Sequence, residues 1–233
     1  MTKPPTYEVK SGKQLQRIIR KEYLENGDRA YDALDPNPFS NLDWTFELFP
    51  KSLNGITVEG RFSPFRSCSE VIPAIYLAET ARAAYFESVI RPYGADITTL
   101  QSNSIERIEV STVQFSNMLK FADLRSTFLK DGSKPFWRYT FDELFNSTQL
   151  KSIKACRSLA KDIHGEYPNF DGLVWDSVRL PNVLVFVLFG HKRDGIIVSS
   201  ESSMENTQDW KPDLIEQVKF GNVIVSDELA SKL

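Results

Sequence analysis

Apolar positions along the chain follow several short patterns rather than one long period. Leu15, Ile18, Ile19 and Tyr23 stand at helical spacing ahead of Asn26-Gly27, which predicts an amphipathic first helix within residues 1–28, stopped by glycine. Between Asp35 and Phe49 the aromatics Phe39, Trp44, Phe46 and Phe49 are interspersed with Pro36 and Pro38 and followed by Pro50, predicting a folded, turn-rich loop able to wall a pocket. Ala74-Ile75-Tyr76-Leu77-Ala78, after Pro73, reads as a short strand. Thr80 is placed to cap a helix from Ala81 to Ile90, because the residue before Pro92 is driven out of the helical region. On that helix Ala83, Phe86, Glu87 and Ile90 share one face, so a carboxylate sits in an apolar stripe.

Ile108, Val110 and Thr112 alternate with Glu109 and Ser111, the pattern of a half-buried strand, and Leu119, Phe121, Leu124 and Phe128 follow at looser spacing. A second, longer helix is predicted from near Thr148 to His164-Gly165, carried by Leu150, Ile153, Cys156, Leu159, Ala160 and Ile163. Asp171-Gly172 introduces a strand over Leu173-Val174-Trp175, and Val183 to Phe189 is a buried run. The Asp194-Gly195 turn before Ile196-Ile197-Val198 predicts a hairpin. Without a regular alternation of strand and helix, the order favours an α+β single domain. Its divisions are an N-terminal helical segment (1–28), a main domain (29–199) and a C-terminal extension (200–233) packed on the same domain.

With 41% hydrophobic and 25% charged residues, the chain has the material for a core and disorder is excluded as its main state. The 28 Lys and Arg against 31 Asp and Glu give a charge of −3, without the basic excess of a nucleic-acid binder. Cys68 and Cys156 are too few and too distant for a disulfide framework or a cysteine-rich metal site, which predicts a cytoplasmic protein. The first residues carry no apolar leader, and no run reaches the roughly 18 apolar residues of a membrane span. His164 and His191 stand in no zinc motif, so no metal is expected. Phosphate-binding, dinucleotide-binding and nucleophile-elbow motifs are absent as well.

Three stretches carry a family resemblance. Gly60-Arg61-Phe62-Ser63-Pro64, then Ile75-Tyr76-Leu77-Ala78-Glu79-Thr80 with Ala83-Ala84-Tyr85-Phe86-Glu87, and finally Gly172-Leu173-Val174-Trp175-Asp176-Ser177 with the run to Phe189 together resemble the RES domain. The family's arginine, glutamate and serine fall on Arg61, Glu87 and Ser177. Asp28-Arg29-Ala30 is similar to its opening arginine. The longer middle, about 92 to 148, and the segment after about 200 depart from short members and leave antitoxin type and oligomeric state open.

The resemblance implies mixed sheets with flanking helices, like those of the ADP-ribosyltransferase toxins. It also implies NAD as substrate rather than cofactor, and a toxin restrained by a helix-turn-helix-class antitoxin. Glu87 is then expected to stabilise the positive charge that builds on ribose as nicotinamide leaves. Arg61 offers a planar fork of donors suited to pyrophosphate. Ser177 can bond to ribose or to the nicotinamide amide, Tyr76 can stack on the nicotinamide ring, and Arg29 and Tyr31 complete the expected NAD contacts. Water, phosphate or a protein side chain could each accept the ADP-ribosyl group. Arginine-modifying relatives of the wider fold carry a second acid two positions before the glutamate. Here that residue is Tyr85, which disfavours arginine modification. The competing class is a non-enzymatic binding module on the same fold.

Overall fold

A computed structural model of the chain describes residues 3–20, 61–62, 65–67, 70–72, 74–89, 98–100, 103–106, 108–125, 139, 144–145, 149–178, 180, 182–190, 195–203, 210–219 and 223–233. Its first elements are strands, β1 (Thr6–Val9) and β2 (Gln14–Arg20). The helix expected across Leu15, Ile18 and Ile19 is therefore corrected, and Thr6–Val9 and Gln14–Arg20 are strands of a sheet. Leu15, Arg17 and Ile19 are buried on one side of β2 while Ile18 is half-buried on the other. A strand covered on both faces carries adjacent apolar residues, and Ile18-Ile19 imitates helical spacing for that reason. The aromatic loop expected at 35–49 lies outside the described residues.

The chain continues through a small antiparallel pair, β3 (Phe65–Ser67) and β4 (Glu70–Ile72), into β5 (Ala74–Ala78) and helix α1 (Ala81–Ser88). The Thr80 side chain caps α1 by accepting the Ala83 N–H at 3.1 Å, as the sequence predicts. Beyond β6 (Thr98–Leu100) and the short α2 (Asn103–Glu106) come β7 (Ile108–Phe115) and β8 (Leu119–Asp123). Helix α3 (Gln149–Glu166) then leads to β9 (Gly172–Asp176), β10 (Leu184–Phe189) and β11 (Ile196–Ser203). The chain closes with α4 (Trp210–Lys219), β12 (Val223–Val225) and α5 (Asp227–Ala230).

Eight strands form one curled sheet in the order β1-β8-β9-β10-β5-β2-β7-β11, confirming the α+β class. Its pairs are antiparallel except β8 with β9, which run parallel with α3 in the connection between them. The hairpin expected around Asp194-Gly195 does not form between β10 and β11. Both edges of β10 are occupied, by β9 and β5, so β11 attaches to β7 instead. Gly195 still turns the chain, at φ +79°, and its carbonyl accepts the Ser116 N–H at the end of β7.

The inside of the curl is filled by Leu15, Leu77, Phe115, Phe121, Val174 and Phe186 from strands across the whole sheet. The outer face carries two separate covers. At one end α3 lays Ile153, Cys156, Leu159 and Ile163 against Leu173, Trp175, Val187 and Phe189. At the other end α1 and the C-terminal elements pack Tyr85, Phe86, Trp210 and Leu214 against Ile108 and Val110. Each such fully buried large side chain contributes about 1.5–3 kcal/mol, so both covers are firmly seated. Among the described residues no helix is long and apolar enough to cross a membrane.

Candidate active site

On the outer face, between the two covers, the last turn of α1 meets the end of β9. Glu87 is half-buried there and Ser177 is 6% exposed. The Ser177 hydroxyl donates to Glu87 Oε1 at 2.7 Å and accepts the Leu180 N–H at 3.0 Å. The accepted bond fixes the oxygen, and the remaining proton points at the carboxylate. The apolar stripe that singles out Glu87 also explains its placement. Ala83 and Ala84, one turn earlier, are buried against Ala78, small enough to let the helix lie close to β5.

The connection from β9 to β10 is held from both sides. The Ser177 N–H donates to the Val183 carbonyl at 2.8 Å, and Asn182 turns the backbone at φ 63°, a conformation asparagine tolerates better than most residues. Glu79, just past β5, accepts the Leu184 N–H on its carboxylate at 3.1 Å and gives its own N–H to the Leu184 carbonyl at 3.0 Å. Glu79 thus serves as a backbone clamp that registers the Ser177 turn against the strand leading to α1.

Arg61 is half-buried, and its guanidinium is directed into the protein. Nη1 donates to the Leu144 carbonyl and, at 2.7 Å, to the Ser152 hydroxyl of α3, while the guanidinium carbon lies 5.3 Å from the Phe145 ring centre. The Leu144 carbonyl also accepts from Ser152 Oγ and Cys156 Sγ. The next residue, Phe62, is fully buried with its ring centre 4.8 Å from that of Trp175, two positions before Ser177 on β9. Tyr76 does not present its hydroxyl freely to a ligand. It accepts the Phe62 N–H at 2.8 Å, and its ring packs against the α3-side cluster. Tyr76 therefore tethers the Arg61 turn to β5. Arg29 and Tyr31 lie outside the described residues.

Arg61 is thus linked to Ser177 and Glu87 partly along the chain, since its neighbour Phe62 packs on Trp175 and Trp175 precedes Ser177 by two residues. Sequence reasoning identifies the charged and hydroxyl members but not Ser152, Phe145 or the Leu144 carbonyl. Serine on a helix and a backbone carbonyl give no pattern to read, and Phe145 falls in the irregular middle of the chain.

A comparison with protein families matches the RES domain over residues 29–210, and the chain belongs to that family. The match takes in Arg61, Tyr76, Glu87 and Ser177. No curated protein and no solved structure matches the chain.

Proposed function

We propose that this RES-domain protein cleaves the nicotinamide–ribose bond of NAD and acts as a toxin held in check by a partner protein. The observation that carries the reading is the 2.7 Å bond from Ser177 to Glu87, which brings the family's serine and glutamate together. In the reaction the bond from C1′ of ribose to the nicotinamide nitrogen breaks, and its electron pair leaves on nicotinamide, which departs neutral. Positive charge then spreads over C1′ and the ring oxygen. A fixed carboxylate beside the ribose stabilises that charge without having to reorganise. Glu87 takes this role. Ser177 orients the carboxylate and offers its oxygen to the ribose or the amide.

Arg61 and Tyr76 shape the adjoining part of the site. A guanidinium held by Ser152 and the Leu144 carbonyl is suited to meet pyrophosphate in one fixed orientation. The acceptor is water or inorganic phosphate, yielding ADP-ribose and a proton in the first case and ADP-ribose 1-phosphate in the second. Transfer to a protein arginine is less well supported, since Tyr85 occupies the position of the second acid and is buried in the core.

Incubating the purified protein with NAD and measuring free nicotinamide, with and without inorganic phosphate, tests the activity and identifies the acceptor. Absence of nicotinamide in both conditions favours the binding-module alternative. For the biological role, expression of the chain alone should arrest bacterial growth while NAD falls, and coexpression with a helix-turn-helix-class antitoxin should restore both. Arrest with constant NAD would leave a toxin with a different substrate.

A further inference from the structure

Helix α1 has two working faces. Ala83, Ala84 and Glu87 turn toward the sheet and Ser177, while Arg82, Tyr85 and Phe86 turn toward the C-terminal elements. Arg82 Nε and Nη2 each bond one carboxylate oxygen of Asp213 at 2.7 Å, a bidentate pair joining residues 131 positions apart. The Arg82 side chain is 55% exposed, but that of Asp213 is only 11% exposed, so this is not an ordinary solvated surface pair. Around it Trp210 lies 6.5 Å from the Tyr85 ring, and Leu214 and Leu229 are buried in the same cluster. Burial, and then the negative charge of Asp213, push the Tyr85 hydroxyl well above its ordinary pKa.

An eight-residue helix is too short to hold its shape in water, where roughly 12 or more residues are needed, so α1 depends on what covers it. The sheet covers one face. The other face packs with Leu100, Ile105, Ile108 and Val110 and with Trp210, Leu214 and Leu229, and of these Leu214 and Leu229 lie beyond the part of the chain that matches the RES family.

We propose that the Arg82–Asp213 pair, with the C-terminal elements around it, is a positioning device that clamps α1 and so holds the Glu87 carboxylate on Ser177. The catalytic part of this inference rests on the NAD-cleaving reading. The placement of α1 stands without it. The hydrogen bonds of Arg82 go to Asp213, and its guanidinium lies over the Phe86 ring, so the pair acts through the placement of α1.

The full-length chain carrying Asp213→Asn tests the clamp by amide hydrogen exchange. The Ala84 and Val89 amides, which close the first and last turns of α1, should exchange about tenfold or more faster while those of β10 keep their protection. In nicotinamide release from NAD, kcat should fall about tenfold with KM changed by less than about twofold, because displacing a catalytic group by a fraction of an ångström is costly. Exchanging the pair, Arg82→Asp with Asp213→Arg, should restore α1 protection and most of kcat. Unchanged α1 protection in Asp213→Asn overturns the proposal. So does loss of protection that spreads equally to β10, or failure of the exchanged pair to restore it. If the unsubstituted protein releases no nicotinamide, the NAD reading fails, and the exchange experiment still decides whether the pair clamps α1.

Discussion

The Ser177 hydroxyl donates to Glu87 Oε1 across 2.7 Å, joining the end of β9 to the last turn of α1. Replacing Ser177 by Ala removes this bond and the acceptor of the Leu180 N–H together. Stability should fall by about 1 kcal/mol, the usual net worth of such a bond. Nicotinamide release should slow by about tenfold, less than on removing the carboxylate charge itself. Thermal melting and steady-state kinetics on one preparation check both, and unchanged kcat would make Ser177 a turn residue only.

Arg61→Lys keeps the charge but loses the planar guanidinium, whose Nη1 donates to both the Leu144 carbonyl and Ser152. The protein should still fold, with a loss of about 1–2 kcal/mol from the bonds to Ser152 and Leu144 and the contact over Phe145. NAD affinity should weaken by about tenfold or more, as expected when bidentate recognition is lost. Calorimetric titration with NAD in a Glu87→Gln background separates the two effects. Equal affinity with lowered stability would assign Arg61 to the scaffold alone.

Gly172→Ala should be severe. A Cβ at Gly172 would collide with the Val187 carbonyl of the neighbouring strand, and the nearest atoms, all Val187 and Leu188 backbone, leave no flexible side chain to yield. The expected loss is about 3 kcal/mol, at the upper end for overpacking. Urea denaturation checks it, and a loss below about 1 kcal/mol would mean that β9 and β10 can separate without cost.

Much of this arrangement is legible in the sequence. The cap at Thr80, the strand over residues 74–78, the helix ending at Glu166 and the strands carrying Trp175 and Phe186 all appear where their patterns predict them. Each has a local cause: a hydroxyl before a helix, alternation, or a continuous apolar run. Strand β2 was not legible, because Ile18 faces α1 while Ile19 faces the inside of the curl, and no single-face pattern survives. The pairing of β11 with β7 was hidden because turn residues announce a reversal without naming the strand that follows it. Glu87 and Ser177 could be named from motif and stripe. The support of Arg61 by Ser152, across 91 positions, could not.

Tyr85 predicts a pH effect with a definite sign. Burial and Asp213 raise its pKa in the folded state above the ordinary 10.0, so its contribution to stability is complete below pH 10.0 and is lost as pH rises past that value. Its hydroxyl is buried with no hydrogen-bond partner among the described residues. Tyr85→Phe should therefore equal or exceed the parent by up to about 1 kcal/mol at neutral pH, and lose less stability on going to about pH 11. Urea unfolding at both pH values checks this. Parallel losses in the two proteins would remove Tyr85 as the responsible group.

The account turns on whether the Glu87 carboxylate drives release of nicotinamide. Glu87→Gln preserves size and the ability to accept the Ser177 proton but removes the charge. The decisive measurement is free nicotinamide formed from NAD by the parent and by Glu87→Gln, at matched folded fraction and saturating NAD. The account predicts steady release by the parent and a fall in kcat of about 100-fold or more in the variant, with NAD still bound and the melting temperature nearly unchanged. Equal release by the two proteins would contradict it.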